Sequence, residues 1–225
     1  MIACALARLR SSPVDRLTPD LVLYAYRQGL FPMADPGDGD RIYWYAPDPR
    51  AVLPLETFHV PRSLARVVRQ GRYRVTTDAA FEAVVRACAA PAPGRTTTWI
   101  SGEIAAAFTR LHRRGFAHSV ECWDDEGEGG AVLAGGLYGV ALGGAFFGES
   151  MFSRRRDASK VALVHLVERL RAGGFVLLDT QFSTPHLARF GVVEIPRADY
   201  EAALQNALAL EADWYAADAG AVKVG

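Results

Sequence analysis

Residues 135–182 read GGLYGVALGGAFFGESMFSRRRDASKVALVHLVERLRAGGFVLLDTQF. The first part, with Ala131–Ala134 before it, gives two apolar strands, AVLAGGLYGVAL and GAFFGESM. DASKVALVHLVERLRAGG (157–174) follows with helical spacing, Asp157 as its expected cap and two glycines closing it. FVLLDTQF (175–182) then reads as a buried strand. Upstream, AHSVECW (117–123) alternates as a strand and meets AVLAGG through a hairpin turn, DDEGEGG (124–130). Hairpin and helical crossover within one run of chain predict a mixed-sheet α/β (α+β) domain, not a doubly wound fold.

Further out, Thr18-Pro19-Asp20 starts a helix, with Thr18 as N-cap, that Gly29 and Pro32 end. A Gly/Asp turn (35–40) and two extended pieces, IYWYA and RAVLPL, complete a small unit assigned to residues 1–55. Residues 56–225 form the larger unit. It opens with helix SLARVVRQ (63–70), strand YRVTT and a helix from Asp78 capped by that aspartate. A PAPG loop and helix SGEIAAAFTRLHRR, capped by Ser101, come next. After the long buried strand there is a short helix STPHLARFG, then a last helix ADYEAALQNALAL; the segment after Leu210 reads as partly disordered.

Half of the 225 residues are hydrophobic and the formal net charge is zero, so a real core is available and the average charge names no partner. No apolar run reaches the roughly 18 residues of a membrane span. The start MIACALARLRSS lacks the order of a signal peptide. The three cysteines, Cys4, Cys88 and Cys122, are widely spaced; they fit a reducing cytoplasm and offer no zinc motif. Neither HExxH, a GxSxG elbow nor a P-loop occurs, and His118 reads as a core histidine.

Two polar islands stand in apolar strands. Glu149, with Ser150 and Ser153, lies in GESMFS at a strand end, where sites are commonly built. Asp179 and Gln181 share one face of LLDTQ, and such groups are costly inside an apolar strand unless hydrogen-bonded. The bland alternatives are a polar strand exit and a loop-tying pair. A third feature is basic. Arg62, Arg66, Arg69, Arg72 and Arg74 fall within thirteen residues without an acid, and Arg154, Arg155, Arg156 and Lys160 follow GESMFS. Each cluster suits either a solvated face or phosphate contacts, and two of them in a neutral chain favour the latter. Tyr24, Tyr26, Phe31 and Tyr43-Trp44-Tyr45 could stack nucleobases but suit core packing at least as well.

AYRQGLFPM, YWYAPDPRAVLP, TTTWIS, AHSVECW, GGLYGVALGGAFFGESMFSRRRDASKVAL, LLDTQF and FGVVEIPRADY, in that order from about Thr18 to Tyr200, resemble the leucyl/phenylalanyl-tRNA–protein transferase family. The resemblance implies an acyl-CoA N-acyltransferase-like C-terminal domain behind a small N-terminal one. It implies transfer of leucine or phenylalanine from aminoacyl-tRNA to an N-terminal Arg or Lys, creating a bacterial N-degron in the cytoplasm, with neither metal nor coenzyme A. By position it implies that Asp179, Gln181 and Glu149 are catalytic. It also implies that Leu137, Phe146, Leu166, Leu170 and Leu178 line the aminoacyl pocket, and that Tyr26 and Trp99 serve the terminal adenosine and the site entrance. Arg62, Arg66, Arg69, Arg72, Arg74, Arg154, Arg155 and Lys160 are then candidates for tRNA. Two departures, Met33 in place of a tryptophan and Phe108 in place of a tyrosine, are expected to weaken adenosine contacts. A CoA-dependent N-acetyltransferase would share the fold, but ESMFSRRRDASK lacks the glycines of a pyrophosphate loop. A non-catalytic RNA-binding module would fit the basic clusters and leave the D-x-Q strand without purpose.

Overall fold

The computed structural model describes residues 13–14, 16–92, 96–125 and 130–219. The readings made for residues 1–12 with Cys4, for part of the PAPG loop, for the middle of the 124–130 turn and for the chain after 219 lie outside the described residues. Eight helices and nine strands are formed there: α1 (Pro19–Arg27), β1 (Phe31–Asp35), β2 (Arg41–Tyr45), β3 (Arg50–Val52), α2 (Arg62–Arg69), β4 (Arg74–Thr77), α3 (Phe81–Ala89), α4 (Gly102–Arg113), β5 (Ala117–Asp124), β6 (Val132–Leu142), β7 (Ala145–Ser153), α5 (Ala158–Ala172), β8 (Leu177–Gln181), α6 (Pro185–Ala188), β9 (Val193–Ile195), α7 (Arg197–Leu208) and α8 (Ala216–Ala219). β1 and β2 form a small antiparallel ribbon. The other seven strands make one sheet in the order β4-β5-β6-β7-β8-β3-β9. Every pairing in it is antiparallel except β7 with β8, which α5 connects as a crossover. The mixed sheet expected from 135–182 is therefore present. β3, read as part of the small unit, is a strand of the large sheet.

Two cores sandwich that sheet. One face packs α3 and α4, with α1 and the β1–β2 ribbon beyond them, around Tyr26, Phe81, Phe108, Tyr138 and Phe147. The other face packs α5 and α2 around Phe146, Leu163, Leu166, Leu170 and Leu178. Close approach is built in by glycine: a Cβ at Gly135 would lie 2.7 Å from that of Ala158 in α5, and one at Gly139 only 2.3 Å from the Phe147 carbonyl oxygen.

Thr18, Ser101 and Thr184 cap their helices as expected, accepting from Leu21, Ile104 and Leu187 N–H. Two aspartates do not. Asp157 has φ +65° and gives its carboxylate to Lys160 (2.7 Å), while Ser159 N–H is met by Ser153 Oγ. Asp78 has φ +57° and binds Ser119 N–H (2.8 Å), His118 (2.8 Å) and the Trp214 indole N–H (3.1 Å). The segment after Leu210, expected to be partly disordered, is packed as far as α8. Trp214 is buried, stacks on Phe146 and His118, and its carbonyl accepts from Arg169 (2.7 Å). Cys88 and Cys122 are both buried. No helix among the described residues is long and apolar enough to cross a membrane.

Candidate active site

β7 and β8 pair only as far as Phe147 opposite Asp179. Beyond that point β7 runs on beside β6 alone, and β8 turns off beside β3, so the two strands diverge like a fork. Both polar islands sit where the fork opens.

On β7, Tyr138 of β6 lies opposite Ser150 and Gly139 opposite Gly148, which leaves Glu149 without a partner as the extra residue of a β-bulge. The bulge reverses the strand's alternation: Phe147 and Phe152 face the α3–α4 core, Phe146 and Met151 the α5 core. It also turns Glu149 toward Tyr26, whose hydroxyl donates to Glu149 Oε1 at 2.6 Å, and toward Gln181, whose side-chain amide donates to the same oxygen at 3.4 Å. Burial raises the Glu149 carboxyl pKa to about 8; the Tyr26 hydrogen bond opposes this, nearby Asp179 adds to it and Arg50 opposes it. Burial, then Glu149 itself, pushes the Tyr26 hydroxyl well above the ordinary phenol range.

On β8, Asp179 is fully buried and each carboxylate oxygen accepts twice. Oδ1 takes Arg50 Nε (3.0 Å) and Gln181 N–H (2.8 Å); Oδ2 takes Arg50 Nη2 (2.6 Å) and the Tyr200 hydroxyl (2.8 Å). Arg50 is itself buried, gives Nη1 to the Gly29 carbonyl (3.0 Å) and lies over the Phe31 and Tyr200 rings. Burial works against its charge, but Asp179 more than offsets that and raises its pKa. Gln181 ends the strand at φ +57°, with Phe182 N–H donating back to the Thr180 carbonyl (2.6 Å). A glutamine in the left-handed region costs roughly 1–2 kcal/mol, and such outliers persist where the surroundings hold them. Asp179 thus orients Gln181 through the main chain, not through the side-chain amide.

The other expected residues fall into three groups. Leu137, Phe146, Leu166, Leu170 and Leu178 do converge, but as buried core beneath the fork, with half-buried Met151 and Leu187 beside them. Tyr26 is fully buried behind Glu149 and so is placed to hold the carboxylate, not to stack a base. Phe108 is buried against Tyr138 inside the α3–α4 core. Trp99 and Met33 are half-buried at the edge of that core, with the Trp99 carbonyl accepting from Ala34 N–H. Arg62, Arg66, Arg69, Arg72 and Arg74 are all exposed. The first three follow helical spacing on one face of α2 and have no carboxylate partner among the described residues. Arg74 pairs with Asp125, Arg155 with Asp124 and Lys160 with Asp157, so those three are partly neutralised. Tyr73 O–H donates to the Arg156 carbonyl (2.8 Å) and fastens the two basic segments into one surface.

Arg50 and Tyr200 escaped the sequence reading. The available signal was an arginine opening an apolar strand, matched by a lone buried acid elsewhere. Among the described residues no group of three or more His, Cys, Asp or Glu is arranged to hold a metal ion.

The sequence that builds this site has counterparts among known proteins. The family model described as leucyl/phenylalanyl-tRNA protein transferase matches residues 52–205, and the model for that family's N-terminal domain matches 15–48. Proteins named leucyl/phenylalanyl-tRNA–protein transferase are similar along nearly their whole length. The one from Rubrobacter xylanophilus is 62% identical over 196 residues, covering 87% of this chain and 97% of that one. Those from Phenylobacterium zucineum and Gluconobacter oxydans are 59% and 56% identical, covering 89% of this chain and 88% and 87% of theirs. A solved structure, L-PGS from Bacillus licheniformis, matches 62% of this chain and 49% of its own at 13% identity and a TM-score of 0.41, too slight a likeness to argue from. Residues 52–205 hold Glu149, Asp179, Gln181 and Tyr200, and on that match this chain belongs to the leucyl/phenylalanyl-tRNA protein transferase family.

Proposed function

We propose that this chain is an aminoacyltransferase that moves leucine or phenylalanine, and methionine more weakly, from aminoacyl-tRNA to the N-terminal arginine or lysine of an acceptor protein. The product is a peptide bond and an N-degron, made in the cytoplasm without metal or coenzyme. The observation that carries the reading is the fork itself: Glu149, Gln181 and Asp179 at its opening, apolar side chains beneath it, and an arginine surface on α2. The small unit (1–55) would sit against the acyltransferase-like unit (56–225), lending it β3.

The donor ester is already activated, so three tasks remain: align the reactants, remove a proton from the amine and steady the oxyanion. A free α-amine has a pKa of about 8, so freeing it near neutrality takes only on the order of 1 kcal/mol. Gln181 orients the amine or the carbonyl through its amide. Asp179 anchors Gln181 through the main chain, and Glu149 supports the same network by accepting from the Gln181 amide. The apolar floor discriminates between side chains by only about 1–3 kcal/mol per methylene, which predicts graded selectivity among Leu, Phe and Met. Arg62, Arg66 and Arg69 meet tRNA phosphates; Trp99 serves the entrance. Labelled leucyl-tRNA with an Arg-starting peptide tests the reading. Transfer of label to the peptide supports it; binding of acetyl-CoA without transfer overturns it in favour of an acetyltransferase.

A further inference from the structure

Accepting that reading, the site contains two carboxylates, and the geometry points to a division of labour between them. We infer that Glu149 receives the proton of the attacking amine, and that Arg50 is a positioning residue that withholds Asp179 from proton transfer.

Two carboxylate oxygens offer about four lone-pair sites. Asp179 has all four engaged: Arg50 and the Gln181 main chain on one oxygen, Arg50 and Tyr200 on the other. It is also fully buried, and Arg50, held by the Gly29 carbonyl and two aromatic rings, is too confined to swing away. A proton reaching Asp179 would have to displace a bidentate, charge-assisted bond. Glu149 differs on each count. The bulge sets it at the fork's opening, half-buried, with Oε1 steadied by Tyr26 and Gln181. The groups facing it are Tyr26 from α1, Tyr138 from β6, Arg50 from β3 and Asp179 with Gln181 from β8. Arg50 is the only cation among them, and Asp179 holds it. Glu149 therefore keeps a strong hold on a proton, at about 8, close to the amine it would serve, which is the match general-base transfer needs.

The step balances without another reactant. The neutral amine attacks the ester carbonyl carbon, the N–C bond forms, and the nitrogen's surplus proton passes to the Glu149 carboxylate. Collapse of the tetrahedral intermediate breaks the bond to the ribose oxygen. That oxygen takes the proton back from Glu149, leaving an amide, a free tRNA hydroxyl and the carboxylate.

The test is single-turnover transfer of labelled leucine from tRNA to an Arg-starting peptide below saturation, between pH 6 and 9. Amine and Glu149 must both be deprotonated, so log rate should rise with a slope approaching two at the acidic end and flatten above about pH 8. Glu149→Gln should lose on the order of 100-fold at pH 8.5 and show a slope of one; Glu149→Asp should restore the slope of two at reduced rate. Arg50→Lys, unable to bond bidentately, should lower kcat with unchanged KM for aminoacyl-tRNA and keep the slope of two. If its melting shows that it does not fold, Tyr200→Phe, which removes one donor from Asp179, takes its place with the same expectation. A Glu149→Gln profile that keeps the slope of two, or a loss confined to peptide KM, overturns the inference. Absence of transfer by the unaltered chain would instead overturn the proposed function.

Discussion

Placing a carboxyl with a raised pKa in a folded site should weaken the fold as pH rises, and Glu149→Gln isolates that cost. In the unfolded chain Glu149 titrates near the ordinary 4.5; in the fold it titrates at about 8. Below 4.5 it is protonated in both states and ionisation costs nothing. Between the two values the folded state binds the proton and the unfolded state does not, so stability falls with pH, levelling off above about 8. Each pH interval of one within that window is about 1.4 kcal/mol. From pH 6 to 9 the loss is therefore about 2.5 kcal/mol at most, and about 1 if water reaching the half-buried carboxylate screens it. Glutamine keeps the shape and the acceptor for Tyr26 but has no proton to lose. Urea unfolding of both forms at pH 6 and 9 gives the answer: the variant should gain about 1–2.5 kcal/mol on the unaltered chain over that range. Parallel stabilities at both pH values would refute a buried, strongly protonated Glu149.

Other tests bear on the neighbouring groups. Gln181→Gly should relieve the left-handed backbone and stabilise the fold by up to about 1 kcal/mol in thermal melts, while abolishing transfer; a loss of stability would show that the amide contacts outweigh the strain. Asp179→Leu alone strands the buried Arg50 and should cost about 3–5 kcal/mol, whereas Arg50→Met with Asp179→Leu should recover most of that in urea unfolding and none of the activity. Joint replacement of Arg62, Arg66 and Arg69 by alanine should leave melting unchanged, because all three are exposed, and flatten the dependence of tRNA affinity on salt. About 0.7–0.9 of log–log slope should disappear for each phosphate that is no longer neutralised, and an unchanged slope would remove α2 from the tRNA surface. Trp214→Ala should destabilise by about 3–5 kcal/mol, since its ring fills the space between His118 and Phe146; a neutral effect would return the segment to the disordered reading.

What the sequence showed depends on whether the decisive contact is local. The helices from Thr18, Ser101 and Thr184 and the unit β7-α5-β8 rest on periodicity and neighbouring caps, and they were legible. Glu149, Asp179 and Gln181 were visible because polar groups inside apolar strands need a reason. Arg50 was not, since its partner is 129 residues away and its strand has three residues. Asp157 and Asp78 resembled caps, but their positive φ turns the carboxylates toward Lys160 and Ser119. The Ala-rich stretch around Trp214 carries no periodicity, so only its ring contacts reveal that it is packed. Tyr26 and Phe108 were legible as aromatics, but that both lie buried on the α3–α4 side of the sheet was not, because residue type cannot say on which side of a sheet a ring will lie.

The bulge at Glu149 was equally invisible, being a property of two strands' register. Its presence fits a pattern at the fork. A bulge forfeits regular ladder pairing, a left-handed glutamine is strained, a buried ion pair is often no more stable than apolar residues of the same volume, and an acid forced to about 8 costs folding free energy at neutral pH. Four unfavourable choices converge within one end of β7 and β8, whereas elsewhere such features stand singly, as at left-handed Asp40, Asp78 and Asp157 and at the register shift between Cys122 and Trp123. Independent accidents of packing would be scattered through the sheet. Their concentration here is what selection for a geometry, rather than for stability, produces. Substitutions that remove each cost should therefore make a tougher protein and a poorer catalyst, and the extent to which the two effects track each other from Glu149 to Gln181 measures how much of the fork's strain is used in transfer.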